Sequence, residues 1–169
     1  MDVKEALLHR RSVRRFTPEA VSPEDVEALL RAAMSGPSAC NRQPWFFCTV
    51  TRPEKLEELM AASRFTKIRA PLALVVCGDL TRALPEPHAE FWVQDCSAAT
   101  ENILLQAVEL GLGAVWCGIY PQQAPQRAVR SMLELEDTLI PLNIIFIGHP
   151  AEPPAPGDWY DPSRVRRVD

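Results

Sequence analysis

Paired cysteine motifs are missing from this chain of 169 residues. Its five cysteines, Cys40, Cys48, Cys77, Cys96 and Cys117, are odd in number and include no C-x-x-C pair. That argues against a disulfide framework or a zinc site and fits reduced thiols in the cytoplasm. The three histidines, His9, His88 and His149, are scattered and offer no metal-ligand spacing. A basic surplus is also missing, since 18 Lys and Arg stand against 22 Asp and Glu for a net charge of -4. A general nucleic-acid binder carries the opposite balance. No apolar run reaches the roughly 18 residues of a membrane helix. The charged start Met1-Asp2-Val3-Lys4-Glu5 is not followed by a signal-peptide core. Internal repeats and low-complexity segments are absent as well. These absences leave a single cytoplasmic domain over residues 1–169, with no metal, nucleic acid or membrane among its partners.

What is present reads as alternating helices and strands. Val3, Ala6 and Leu7 suit a short first helix over 3–9. Ser22 is placed to cap a second, with Pro23 in its first turn and Asp25 completing a Ser-x-x-Asp box; Gly36-Pro37 ends it. Strands are expected at Trp45–Thr51, Leu72–Cys77, Ala114–Cys117 and 139–148, and helices from Pro53 through Met60, over 90–110 and over 125–134. Residues 103–108 of the long helix are apolar nearly all round, which requires cover on several sides. Pro85–Pro87 reads as a loop. After Gly148, five prolines favour an extended arm over 149–169, and the alternation at its end suggests an edge strand. The class is α+β rather than doubly wound.

Three segments carry polar groups suited to a ligand. Arg10-Arg11-Ser12-Val13-Arg14-Arg15 concentrates positive charge in an acidic chain, and arginine forks with a hydroxyl suit a phosphate. A solvated basic patch at a helix end explains the same residues equally well. Pro37-Ser38-Ala39-Cys40-Asn41-Arg42-Gln43-Pro44 joins a helix to a strand. Asn41 and Gln43 there can read a ring edge or simply satisfy a local turn. Gly111-Leu112-Gly113-Ala114-Val115-Trp116-Cys117-Gly118 permits close approach of backbone to a flat ligand, but it is not the G-x-G-x-x-G of a Rossmann turn.

Taken in order and spacing, these three segments resemble the nitroreductase family from Val3 to Arg166. The resemblance implies a central, mixed but mostly antiparallel sheet flanked by helices. It also implies an intertwined homodimer with C-terminal strand exchange and an FMN site shared between chains. Arg10, Arg11 and Ser12 would hold the phosphate and ribityl end, with Arg164 closing over the phosphate and Arg166 as the alternative in another register. Arg14 would lie at the pyrimidine edge, where positive charge favours reduced flavin. Pro37, Ser38, Ala39, Asn41 and Gln43 would reach the cofactor from the other subunit, and the Trp116-Cys117-Gly118 backbone would face the ring near N5. The implied reaction is ping-pong hydride transfer from NADH or NADPH to a nitroaromatic, quinone or similar flat acceptor. No catalytic side chain is needed, because the flavin supplies the chemistry. The same motifs also suit dehalogenation, flavin cleavage or dehydrogenation on FMN, or flavin binding without turnover. Longer relatives carry an extra helical segment over the pocket; here Thr81–Phe91 is the nearest candidate wall.

Overall fold

The computed structural model describes residues 1–63 and 68–168. Helix α1 (Val3–His9) opens on Asp2, whose side chain accepts from the Glu5 N–H while Glu5 reaches back, a closed capping box. Helix α2 (Pro23–Met34) starts on the expected Ser22 cap. Strand β1 (Trp45–Val50), helix α3 (Pro53–Ala62) and strand β2 (Leu72–Asp79) follow. Next come α4 (Phe91–Glu109), β3 (Gly113–Gly118), α5 (Gln123–Met132) and β4 (Leu139–Gly148). Helix α5 begins two residues before the expected 125, because Pro125 falls in the first turn, where a missing N–H costs nothing.

The strands form one sheet in the order β1-β2-β4-β3, every neighbouring pair antiparallel. The expected mixed character survives only as isolated parallel bridges, Ser12 to Ala114 and Arg15 to Arg69. Side-chain alternation divides the core in two. Leu72, Leu74 and Val76 of β2 pack with Ile145 and Ile147 of β4 beneath α2 and α4. Ala73, Val75 and Cys77 pack with Ile144 and Phe146 beneath α3 and α5. Each such fully buried large side chain contributes about 1.5–3 kcal/mol. In α4, Ile103, Leu104 and Ala107 are buried by this chain, whereas Leu105 and Val108 remain half-buried.

One irregularity bears on the site. The β2–β4 register shifts between Val76 and Cys77, which leaves Leu142 as the extra residue on β4. Its carbonyl accepts the N–H groups of Ile119 and Tyr120, both at 3.0 Å, and so fixes how the chain leaves β3. Beside it the buried Asn143 donates to Thr100 Oγ1 at 2.9 Å, and Thr100 donates to the Cys96 carbonyl at 2.8 Å.

The C-terminal arm runs back along the N-terminal segment: Ala151 N–H donates to the Arg15 carbonyl (3.0 Å) and Gly157 N–H to the Leu8 carbonyl (3.1 Å). The edge strand expected over 163–169 is not formed among the described residues of the single chain; a 3-10 turn spans Pro162–Arg164, and Asp169 lies outside the described residues. Asp161 diverts the Ser163 N–H into a local turn.

Candidate functional site

The cationic segment is placed by its pairing with β3. Ser12 bridges Ala114 in parallel, with Val13 N–H donating to the Ala114 carbonyl at 2.9 Å. Extended backbone sends successive side chains to opposite sides. Val13 turns inward, and a Cβ on Gly113 would come within 2.7 Å of it, so only glycine fits opposite. Arg11 shares the Val13 side, and both line a cleft of about 250 Å³ with His9, Leu104 and Pro153. The Arg11 guanidinium stacks 4.1 Å from the Trp159 ring centroid. Its Nη1 donates to the Arg10 carbonyl, and its Nη2 is buried without a partner.

Arg10, Ser12 and Arg14 fall on the alternate positions. Arg10 Nε lies 3.5 Å from Glu101 of α4. Ser12 is exposed, and Arg14 Nη1 donates to the Ser12 carbonyl at 3.2 Å. The Arg14 charge also reaches Cys117. Burial pushes that thiol up to about 11, with Arg14 opposing, so it stays protonated at neutral pH and is no nucleophile. Trp116 is half-buried, and Gly118 is exposed with nothing within 4 Å of where its Cβ would stand. The structure therefore sets Ser12 beside Ala114 and Arg14 within electrostatic reach of Cys117, leaves Arg10 against Glu101, and turns Arg11 toward the arm.

The second segment lies elsewhere. Trp45 pairs with Gly78, Gly78 with Ile140, and Gly118 with Asn143, so the start of β1 and the end of β3 emerge at the same end of the sheet. Two strands separate them, which at about 4.8 Å per strand amounts to roughly 14 Å. The loop itself is stiff. Cys40, Asn41 and Gln43 sit at φ of 49°, 53° and 49°, left-handed conformations that non-glycine residues adopt only when held. Ser38 Oγ holds the Gln43 N–H (2.9 Å), and Gln43 Nε2 donates to Asn41 Oδ1 (3.2 Å). Pro37 is exposed, and the Ala39 N–H donates to Asp95 Oδ1 of α4 at 2.8 Å. Asp95 is buried, which raises its pKa against the opposing pull of that N–H. The local-turn reading of this loop is realised, since Ser38 and Asn41 satisfy the Gln43 backbone and side-chain N–H groups.

Arg164 and Arg166 are exposed. Arg164 pairs with Asp161 at 3.2 Å, and among the described residues no salt bridge or hydrogen bond joins it to the Arg10 segment or the loop of the same chain. A cleft of about 510 Å³ is lined by Phe16, Pro18, Leu56 and Met60 among others and by none of the candidate residues. Sequence reasoning missed Asp95 and Glu101, the two carboxylates by which α4 touches the loop and Arg10. Their signal was two carboxylates on a helix with few charges.

The nitroreductase family profile matches residues 7–65 and 60–149. The chain belongs to the nitroreductase family. A relative from Methanothermobacter thermautotrophicus, provisionally named NADH dehydrogenase/NAD(P)H nitroreductase, is 41% identical over 98% of this chain and 86% of its own. The crystal structure of a protein with the same provisional name from Parabacteroides distasonis superposes with a TM-score of 0.90. It is 36% identical and covers 98% of this chain and 97% of its own. A provisionally named nitroreductase from Desulfovibrio desulfuricans, solved in complex with FMN, gives a TM-score of 0.84 at 30% identity, over 100% of this chain and 98% of its own. The nitroreductase fold and the α+β class are therefore those of this chain. Among the described residues no helix is long and apolar enough to cross a membrane, and no group of His, Cys, Asp and Glu could hold a metal.

Proposed function

We propose that this chain is an FMN-dependent oxidoreductase that takes electrons from NADH or NADPH and passes them to a nitroaromatic, quinone or similar flat acceptor. The observation that carries the reading is the pairing of Ser12 with Ala114, which runs the arginine segment along β3 and sets Arg14 near Cys117, next to the open Gly118. The FMN complex of the Desulfovibrio relative supports the cofactor.

Arg10 and Ser12 would hold the phosphate and ribityl end of FMN through a charged fork and a hydroxyl. Arg14 would supply positive charge near the ring, which favours accepting electrons. Gly118 leaves the space that a side chain would fill. When bound, FMN supplies the hydride chemistry, so no side chain acts as nucleophile. Arg11 lies on the opposite side of the segment and anchors the arm rather than the phosphate.

The separation of the two halves on one chain supports a homodimer in which Pro37, Ser38, Ala39, Asn41 and Gln43 complete the site of the partner. The arm supports crossing between subunits, since Trp159, Tyr160, Val165 and Val168 stand exposed on their own chain. Arg164 or Arg166 would then meet the phosphate of the partner's site.

The test is anaerobic titration of the purified protein. It should take up FMN at micromolar levels, turn yellow, bleach with NADH or NADPH, and regain colour with an acceptor. Protein that stays colourless in excess FMN overturns the reading. Sedimentation of an FMN-loaded monomer would overturn the shared site.

A further inference from the structure

Arg42 and Arg82 form a pair of guanidinium groups that the proposed reaction leaves unused. Arg42 Nε donates to the Arg82 carbonyl at 2.8 Å and its Nη2 to the Ala83 carbonyl at 3.3 Å. Arg82 Nε donates in return to the Gln43 carbonyl at 3.1 Å. Each side chain is thereby fixed by the backbone that carries the other, and both remain exposed. Among the described residues neither makes an ion pair. Asp79, the carboxylate closest in sequence to Arg82, is turned to Thr81, whose N–H and hydroxyl donate to it at 2.9 and 2.6 Å.

Two cations brought together without a counter-ion, in a chain of net charge -4, mark a place for an anion. The inner N–H groups are spent on carbonyls. Arg42 Nη1 and both outer nitrogens of Arg82 remain, a donor set that matches a phosphate monoester better than a single carboxylate. The pair is also pre-positioned. Arg42 stands between Asn41 and Gln43 in a loop held at left-handed φ, so its place at the rim of the proposed flavin site is fixed before any ligand arrives.

We propose that Arg42 and Arg82 bind the 2′-phosphate of NADPH and thereby set a preference for NADPH over NADH. The proposal rests on the oxidoreductase reading above and deepens it. NADH presents a neutral hydroxyl at the same position and gains nothing from either guanidinium.

The experiment compares kcat/KM for NADPH and NADH in the FMN-loaded wild type, Arg82→Gln and Arg42→Gln. Loss of one charge-assisted contact should lower the NADPH-to-NADH ratio by roughly tenfold or more. Arg82→Lys should restore part of that ratio. A second arm needs no turnover: calorimetric titration with adenosine 2′,5′-bisphosphate against adenosine 5′-monophosphate. The bisphosphate should bind more tightly to wild type and lose that advantage in Arg82→Gln. A purely structural clamp would lower both nucleotides equally and leave the ratio unchanged, which overturns the proposal. Selective loss of FMN affinity overturns it too, because the pair would then serve the cofactor's own phosphate. If the oxidoreductase reading alone fails, nicotinamide oxidation is absent while the bisphosphate preference persists.

Discussion

Ser12 and Ala114 are bridged in parallel, and alternation about that bridge sets Arg14 toward Cys117 of β3 and Arg11 toward the arm. It turns a run of like-charged residues into two groups with different partners. Arg10 and Arg14 lie on the Ser12 side, while Arg11 lies under Trp159.

Arg10→Ala and Arg14→Ala should each weaken FMN binding by roughly tenfold, as expected for the loss of a hydrogen bond to a charged group. Arg11→Ala should leave FMN affinity within about twofold of wild type and instead expose the arm to protease, since the lost contact is a cation–π stack. Fluorescence titration of the flavin and limited proteolysis read the two effects separately. An Arg11→Ala variant as defective in FMN binding as Arg10→Ala would contradict the division.

Gly118 and Gly78 make a contrasting pair. A Cβ on Gly118 meets nothing within 4 Å, so Gly118→Leu should fold with the melting temperature of the apo protein and fail to retain flavin. A Cβ on Gly78 would lie 2.2 Å from Trp92 Cε3. Gly78→Ala should therefore lose about 1–3 kcal/mol by overpacking. Thermal melts of the two apo variants check both, and flavin retained by Gly118→Leu would place the ring elsewhere.

Asp95 gives a pH dependence whose sign follows from its burial. Its folded pKa is raised, so the folded chain holds that proton more firmly than the unfolded chain does. The stability this contributes is present below the unfolded carboxylate pKa and is lost as pH rises through the folded one. Asp95→Asn keeps an oxygen for the Ala39 N–H and removes the charge. It should be at least as stable as wild type near neutral pH, with the difference shrinking as pH falls through the carboxylate range. Denaturant midpoints across pH measure this, and a variant less stable than wild type only at neutral pH would show that the ionised carboxylate is favoured.

Thr100 tests the buried polar pair behind β3. Asn143 Oδ1 already lacks a partner, and Thr100 is the acceptor for Asn143 Nδ2. Thr100→Val should cost about 1–3 kcal/mol, the penalty for leaving a buried amide unpaired. Thr100→Ser should recover most of it, and urea unfolding of both variants gives the comparison.

Most elements were legible in the sequence because each rested on local chemistry. Ser22, Pro23 and Asp25 fix the start of α2 whatever surrounds it, and the apolar run from Leu72 suits a strand buried on both faces. Most boundaries fell within a residue or two of expectation, and at α5 the start moved because Pro125 is tolerated in a first helical turn. The candidate residues were legible as three clusters, but not their division. Charge and spacing alone do not say that Arg11 and Arg14 point opposite ways, nor that Asp95 reaches the Ala39 N–H from 56 positions away along the chain.

The edge strand expected at the end of the arm is absent within the single chain for a related reason. Alternation of apolar and basic residues permits a strand, but a partner edge must receive it, and on its own chain Asp161 takes the Ser163 N–H into a local turn. The sequence by itself determined the helices, the strands and the chemical character of Arg10–Arg14, because capping, side-chain periodicity and charge act over a few residues. Only the tertiary structure decided that these arginines lie along β3, that Asn41 and Gln43 stand two strands away, and that Arg42 meets Arg82. Those relations depend on register and long-range pairing, which no local interaction specifies.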